Sequence, residues 1–229
     1  MNELIDNHTR QVEELDCCFD RITNIDWNDR LIGVTGARGV GKTTYLLNHI
    51  KNKLSKEAKA IYVSLDDIYF SSHSLVEFAG DWLKRGGTHL FLDEIHKYPN
   101  WSQELKNIYD RYKKLHVVFT GSSLLHIYSG KADLSRRAVV YTMNGLSFRE
   151  FVQIETGKTF PTYTLNEIIE NHEKITKEIV NEIRPLAFFE DYLEYGYYPF
   201  YLESKTSYHR KLMNTINLML EIDLPYLRH

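Results

Sequence analysis

Cysteine is scarce in this chain: there are two, the neighbours Cys17 and Cys18. Adjacent thiols cannot staple distant segments, so a disulfide-built fold is excluded, and the pair reads as reduced thiols on a helix. Long hydrophobic runs are missing too. Nothing approaches the roughly 20 apolar residues that cross a bilayer. The first residues, Met-Asn-Glu-Leu-Ile-Asp, are polar and lack a secretory core. Excess charge of one sign is absent, since 28 Lys and Arg stand against 31 Asp and Glu. A general affinity for nucleic acid is therefore not expected, although a local basic face is compatible with that balance. The ten histidines form no His-x₃-His or Cys/His cluster, so no zinc site is expected. Together these absences suggest a cytoplasmic protein without membrane attachment.

What is present is an alternation. Hydrophobic residues make up 43% of 229, ordinary for a globular chain. Residues 3–22 carry apolar side chains at helical spacing and predict an N-terminal helix. Short apolar runs follow at Arg30–Gly36, Ala60–Leu65, His89–Leu92, His116–Thr120 and Ala138–Tyr141. Helical patterns lie between them, near Lys42–Leu54, Leu75–Leu83, Trp101–Tyr112 and Leu124–Tyr128. Five apolar strands alternating with helices predict a parallel sheet covered on both faces, an α/β fold. Beyond Ser147 the strand signal fades. Leu165–Ile183 and 206–222 read as helices, and 186–202 is crowded with aromatics expected to form a small core. The predicted division is a nucleotide-binding domain over 1–155, N-terminal helix included, and a helical lid with the start of a C-terminal region over 156–229.

Gly36-Ala37-Arg38-Gly39-Val40-Gly41-Lys42-Thr43 matches G-x-x-x-x-G-K-[ST] at every fixed position, between a predicted strand and a predicted helix. Glycines let the backbone wrap closely, so that successive N–H groups point at phosphate oxygens. The following helix adds its positive dipole end. Lys42 is placed to reach the β- and γ-phosphates, and the Thr43 hydroxyl to ligate Mg²⁺. Thr44 either caps or packs nearby or touches the α-phosphate. Arg38 is expected to face solvent. The loop thus predicts binding of a nucleoside triphosphate with Mg²⁺.

His89-Leu90-Phe91-Leu92-Asp93-Glu94 is an apolar strand ending in two carboxylates. Beside a phosphate loop, Asp93 is expected to hold Mg²⁺ and Glu94 to orient or deprotonate the attacking water. Asp66 and Asp67 end the second strand similarly, and a turn or N-cap is the favoured reading there. In Phe119-Thr120-Gly121-Ser122-Ser123, Thr120 or Ser122 could sense phosphate or position water, and helix capping explains Ser122 equally well. Arg136 and Arg137 precede the last strand. Either could neutralise charge on the γ-phosphate, in its own chain or a neighbour's, or simply be solvated. Lys106, Arg111, Lys113 and Lys114 form a modest basic strip, read as a solvated face.

Several stretches together resemble one family: Gly36–Thr44, Leu-Asp-Glu-Ile-His-Lys-Tyr-Pro-Asn-Trp at 92–101, Thr-Gly-Ser-Ser at 120–123, Leu-Ser-Phe-Arg-Glu-Phe at 146–151, Tyr-Leu-Glu-Tyr-Gly-Tyr-Tyr-Pro at 192–199, and Glu-Ile-Asp-Leu at 221–224. The chain resembles the bacterial and archaeal ATP-binding proteins that join an AAA-superfamily domain to a C-terminal domain of unknown function. The resemblance implies a P-loop three-layer α/β/α fold with strand order 5-1-4-3-2, followed by a small helical subdomain. It implies ATP as ligand, Mg²⁺ as cofactor, and Lys42, Thr43, Asp93 and Glu94 in the roles above. It also matches Arg137 or Arg136 to the arginine before the last strand. Relatives usually continue beyond the Asp-Leu stretch, so this chain is expected to be a shortened form or a short gene. The expected function is Mg²⁺-assisted ATP hydrolysis driving a conformational change. Alternatives are a slow nucleotide-dependent switch or scaffold with a protein or DNA partner, in which homo-oligomers are open, and a small-molecule kinase.

Overall fold

The computed structural model describes residues 1–16, 19–121 and 134–223. Cys17, Cys18, Ser122, Ser123, the helix expected at Leu124–Tyr128 and Leu224 onward lie outside the described residues.

Five strands form one sheet: β1 (Leu31–Thr35), β2 (Ala60–Ser64), β3 (His89–Asp93), β4 (His116–Gly121) and β5 (Val139–Thr142). Their order is β2-β3-β4-β1-β5 and every neighbouring pair is parallel. Read from the other edge, that is the expected 5-1-4-3-2. Helices α1 (Asn2–Glu13), α2 (Lys42–Asn52), α3 (Leu75–Lys84) and α4 (Trp101–Arg111) cover it.

The alternation of side chains shows why the strands are apolar throughout. Successive residues point to opposite faces. Ile61, Val63, Leu90, Leu92, Val117 and Phe119 enter the core that holds α3 and α4. Tyr62, Phe91, Val118, Ile32 and Val34 enter the core that holds Leu46 and Leu47 of α2. A sheet buried on both faces has no solvent side on which to place polar residues.

The N-terminal helix is shorter than its pattern predicts. It stops at Glu13, and the described residues from there to residue 30 form no helix. Tertiary contacts claim these side chains. Ile25 and Trp27 pack on the α2 core, Trp27 stacking on His49 at 3.6 Å, and Phe19 packs on a third cluster.

The C-terminal region comprises α5 (Phe148–Thr156), α6 (Leu165–Glu182), α7 (Leu186–Tyr195), the short 3₁₀ turn Pro199–Leu202 and α8 (Tyr208–Leu218), and that third cluster draws on all of these except α6. Helix α5 was not expected, although Ser147-Phe148-Arg149-Glu150 is a capping box, with Ser147 and Glu150 serving each other's backbone N–H. Phe151 and Tyr201 are fully buried with ring centroids 5.3 Å apart, and Tyr192 and Tyr195 pack around them. The aromatic-rich segment is a small core, as its composition suggested.

Candidate nucleotide site

The phosphate loop leaves β1 and turns into α2. Gly39 and Gly41 have φ of 86° and 91°, in the region that costs a side chain 1–2 kcal/mol or so. Gly36 lacks a side chain for another reason: a Cβ there would collide with the Met143 carbonyl at the end of β5. Lys42 is buried, and its Nζ donates to Gly36 O at 2.9 Å and Ala37 O at 3.0 Å. Thr43 and Thr44 are exposed at the start of α2.

Because β3 lies two strands from β1, with β4 between them, its tip reaches the loop. Asp93, 2% exposed, gathers hydroxyls from three elements. Thr43 Oγ1 donates to Oδ2 at 2.5 Å, Tyr62 OH donates to Oδ2 at 2.7 Å, and Thr120 Oγ1 donates to Oδ1. Thr120 also accepts the Glu94 N–H at 3.2 Å. Its hydroxyl is fully buried and committed to the acidic pair rather than turned into the open site.

Glu94 is held in left-handed backbone, φ 51°, a sparsely populated conformation for a non-glycine residue. Its carboxylate lies 3.3 Å from His96 Nε2. Burial and the neighbouring Asp93 charge push its pKa up, while Lys42, Arg38 and Lys97 pull it down. Arg38 therefore does not face solvent as expected. It lines the cavity, two of its guanidinium nitrogens are buried, and its charge acts on Glu94.

The cavity beside the loop measures about 420 Å³, within the range of small-molecule sites. One wall is the loop and α2, another is Asp16, Phe19 and Arg21, and a third is Pro199, Phe200, Leu202 and Glu203 from the C-terminal region. Phe200 closes against the loop: a Cβ on Gly39 would lie 3.0 Å from its ring.

Arg136 and Arg137 lie elsewhere. β5 begins beside Ile32 and ends beside Thr35, so residues before Val139 sit at the edge of the sheet away from the loop. At about 3.3 Å per residue, Arg137 is roughly 15 Å from the loop end of β5. Its guanidinium engages Asp110 at 3.0 and 3.1 Å. Within one chain neither arginine joins the loop; the neighbour-supplied and the solvated readings are both compatible with that position. Asp66 and Asp67 have local partners, in keeping with a turn: Asp66 accepts from Ser64 Oγ and Asp67 caps the turn at Tyr69 N. Sequence reasoning missed Arg21, Tyr62 and His96, which all touch this framework. Arg21 and Tyr62 fall outside the quoted motifs, Tyr62 sitting mid-strand where an apolar side chain was expected, and His96 lies within the 92–101 stretch without a role assigned from it.

A family model described as an AAA domain matches residues 28–152, more than half of the chain. The chain belongs to this family. The match begins just before β1 and runs into α5, so the loop, the acidic pair and the whole sheet lie inside the AAA domain. It is an AAA-type nucleotide-binding domain. Among curated proteins no relative matches. Solved structures that are similar include AMPPCP-bound DnaA from Aquifex aeolicus, at 15% identity and TM-score 0.38, covering 95% of this chain and 67% of that one. A DNA replication initiation factor is similar at 18% identity and TM-score 0.38, covering 78% of this chain and 59% of that one. At such scores these likenesses carry no argument. No helix among the described residues is long and apolar enough to cross a membrane.

Proposed function

We propose that this AAA domain binds ATP on Gly36–Thr43 together with Mg²⁺ and hydrolyses it to ADP and phosphate. The observation that carries the reading is the 2.5 Å contact between Thr43 Oγ1 and Asp93 Oδ2. It joins the hydroxyl that closes the loop motif to the strand-end carboxylate, from 50 residues away in the sequence, with Glu94 and Lys42 beside them.

The donor set fits the metal. A hydroxyl and a carboxylate are hard oxygen ligands, which suit Mg²⁺ rather than softer ions. Among the described residues no group of three or more His, Cys, Asp or Glu is placed to hold a metal, in keeping with an ion that takes few protein ligands and completes its shell with phosphate and water. When bound, Mg²⁺ would offset charge on the β- and γ-phosphates. Lys42 would exchange its loop carbonyls for phosphate oxygens. Glu94 would accept a proton from water as the water oxygen bonds to the γ-phosphorus and the β–γ bridging bond breaks. Arg38 would face the same charge. Thr120 and Tyr62 would orient Asp93.

The C-terminal helices would act as a lid, since Pro199 and Phe200 meet the loop directly. Turnover would thereby move a segment packed on both the loop and α5. Measuring phosphate release from ATP with and without Mg²⁺, for wild type and Thr43→Ala, tests the reading. Mg²⁺-dependent release that weakens by about a hundredfold in the variant is expected. Release indifferent to both would refute it.

A further inference from the structure

Arg21 belongs to neither the loop motif nor the acidic pair, yet it reaches three parts of the site's framework. Its side chain is 8% exposed and that of Glu150 4%. NH1 donates to Val40 O at 2.7 Å. NH2 donates to Asn144 O at 2.7 Å and Gly145 O at 3.1 Å. Nε donates to Glu150 Oε1 at 2.8 Å. Four of the five guanidinium N–H groups are thus in use. Glu150 is equally occupied. Oε1 also accepts the Ile22 N–H, and Oε2 accepts both the N–H and the hydroxyl of Ser147, each at 2.8 Å. Burial works against ionising this carboxyl, and the Ser147, Arg21 and Ile22 donors outweigh it, so its pKa lies below the usual value.

The contact with Val40 has a geometric consequence. A trans peptide is planar, so its C=O and N–H point in opposite directions. The Val40 carbonyl and the Gly41 N–H belong to one such unit. With the oxygen fixed on Arg21, the Gly41 N–H is directed away from Arg21. A peptide next to a glycine at φ 91° rotates at little steric cost, because glycine tolerates both signs of φ. The orientation therefore needs an external hold. Lys42 supplies one at the loop's start, through Gly36 O and Ala37 O. Arg21 supplies the other near its end.

We propose that Arg21 is a positioning residue: it holds the Val40–Gly41 peptide so that the Gly41 N–H faces the β-phosphate of a bound nucleotide, and through Glu150 it ties that orientation to α5. The inference rests on the nucleotide-binding reading above. Arg21 does not contact the γ-phosphate in this role. It acts through a backbone amide, and α5 and the loop share one guanidinium as their common support.

A calorimetric comparison of ADP and AMP binding tests this on the full chain, for wild type, Arg21→Gln, Arg21→Lys and Glu150→Gln. ADP carries the β-phosphate and AMP lacks it. Expected is an ADP preference in wild type. In Arg21→Gln, ADP affinity falls about tenfold, the scale of one hydrogen bond to a charged group, while AMP affinity stays within about twofold. Arg21→Lys keeps the charge but cannot serve Val40, Asn144 and Glu150 together, so it loses ADP affinity similarly. It carries the test if the glutamine variant does not fold. Glu150→Gln shows a smaller loss in the same direction. A purely structural role would lower the melting temperature and leave the ADP-to-AMP ratio at its wild-type value, and that result overturns the inference alone. Wild type without preference for ADP would overturn the phosphate-loop reading and this inference with it.

Discussion

In β3 the residues Leu90, Phe91 and Leu92 are all fully buried, whereas α6 spans 18 residues without one buried side chain. Leu165, Ile169 and, on α7, Leu186 and Leu193 are 65–83% exposed. Both regions are regular backbone, but they are held differently. The sheet is clamped by cores on two faces. Of the C-terminal helices, α5, α7 and α8 supply residues to one aromatic cluster around Phe151 and Tyr201 and α6 supplies none, and the region reaches the loop through Pro199 and Phe200. The rigid half thus carries the candidate nucleotide site, and on the proposed function the sparsely buried half would respond to it.

The largest expected effect strikes the rigid half. Lys42→Ala removes the cation that the loop wraps, and ATP affinity should fall at least about a hundredfold in calorimetry. Unchanged affinity would mean that the cavity binds something else. Next comes stability. Phe91→Ala should cost about 3–5 kcal/mol in urea unfolding, while Ile169→Ala in α6 should stay within about 0.5 kcal/mol. Similar costs would erase the contrast between the regions.

Acid should loosen the sheet half. Burial lowers the pKa of His49 and of His89 from 6.5 to about 4, with nearby cationic charge adding to it. The folded state thus resists protonation that the unfolded chain accepts. Stability is complete above pH 6.5 and is lost progressively as pH falls toward about 4. A melting temperature flat from pH 8 to 6.5 and declining below is expected, with a shallower decline in His49→Gln. The smallest effect belongs to Arg137→Ala, which should leave ATP affinity within about twofold, since its partner is Asp110 near the end of α4 and not a residue of the loop. A large loss would place that arginine at a neighbouring chain's site.

Legibility follows the same division. The strands could be read because two-sided burial makes each a short apolar run. The loop could be read because phosphate geometry fixes both residue types and spacing. Asp93 and Glu94 were readable as polar residues ending such a run. Arg21 was not, because its partners Val40, Asn144, Gly145 and Glu150 are 19 to 129 positions away and three of its four links go to backbone carbonyls, which carry no residue identity. The N-terminal helix was overextended for the same reason: Phe19 keeps helical spacing in the sequence but packs elsewhere. Arg38 was misplaced because nothing local announces the cavity wall that the C-terminal region builds opposite it. Helix α5 had a readable Ser-x-x-Glu start and was hidden by the fading strand pattern around it.

The central claim is that Glu94 separates binding from turnover. The most direct measurement is phosphate release from ATP by wild type and Glu94→Gln, with ATP affinity measured on the same samples. The account predicts that Glu94→Gln binds ATP within about threefold of wild type and releases phosphate at least about a hundredfold more slowly. Equal release rates at equal affinity would contradict it.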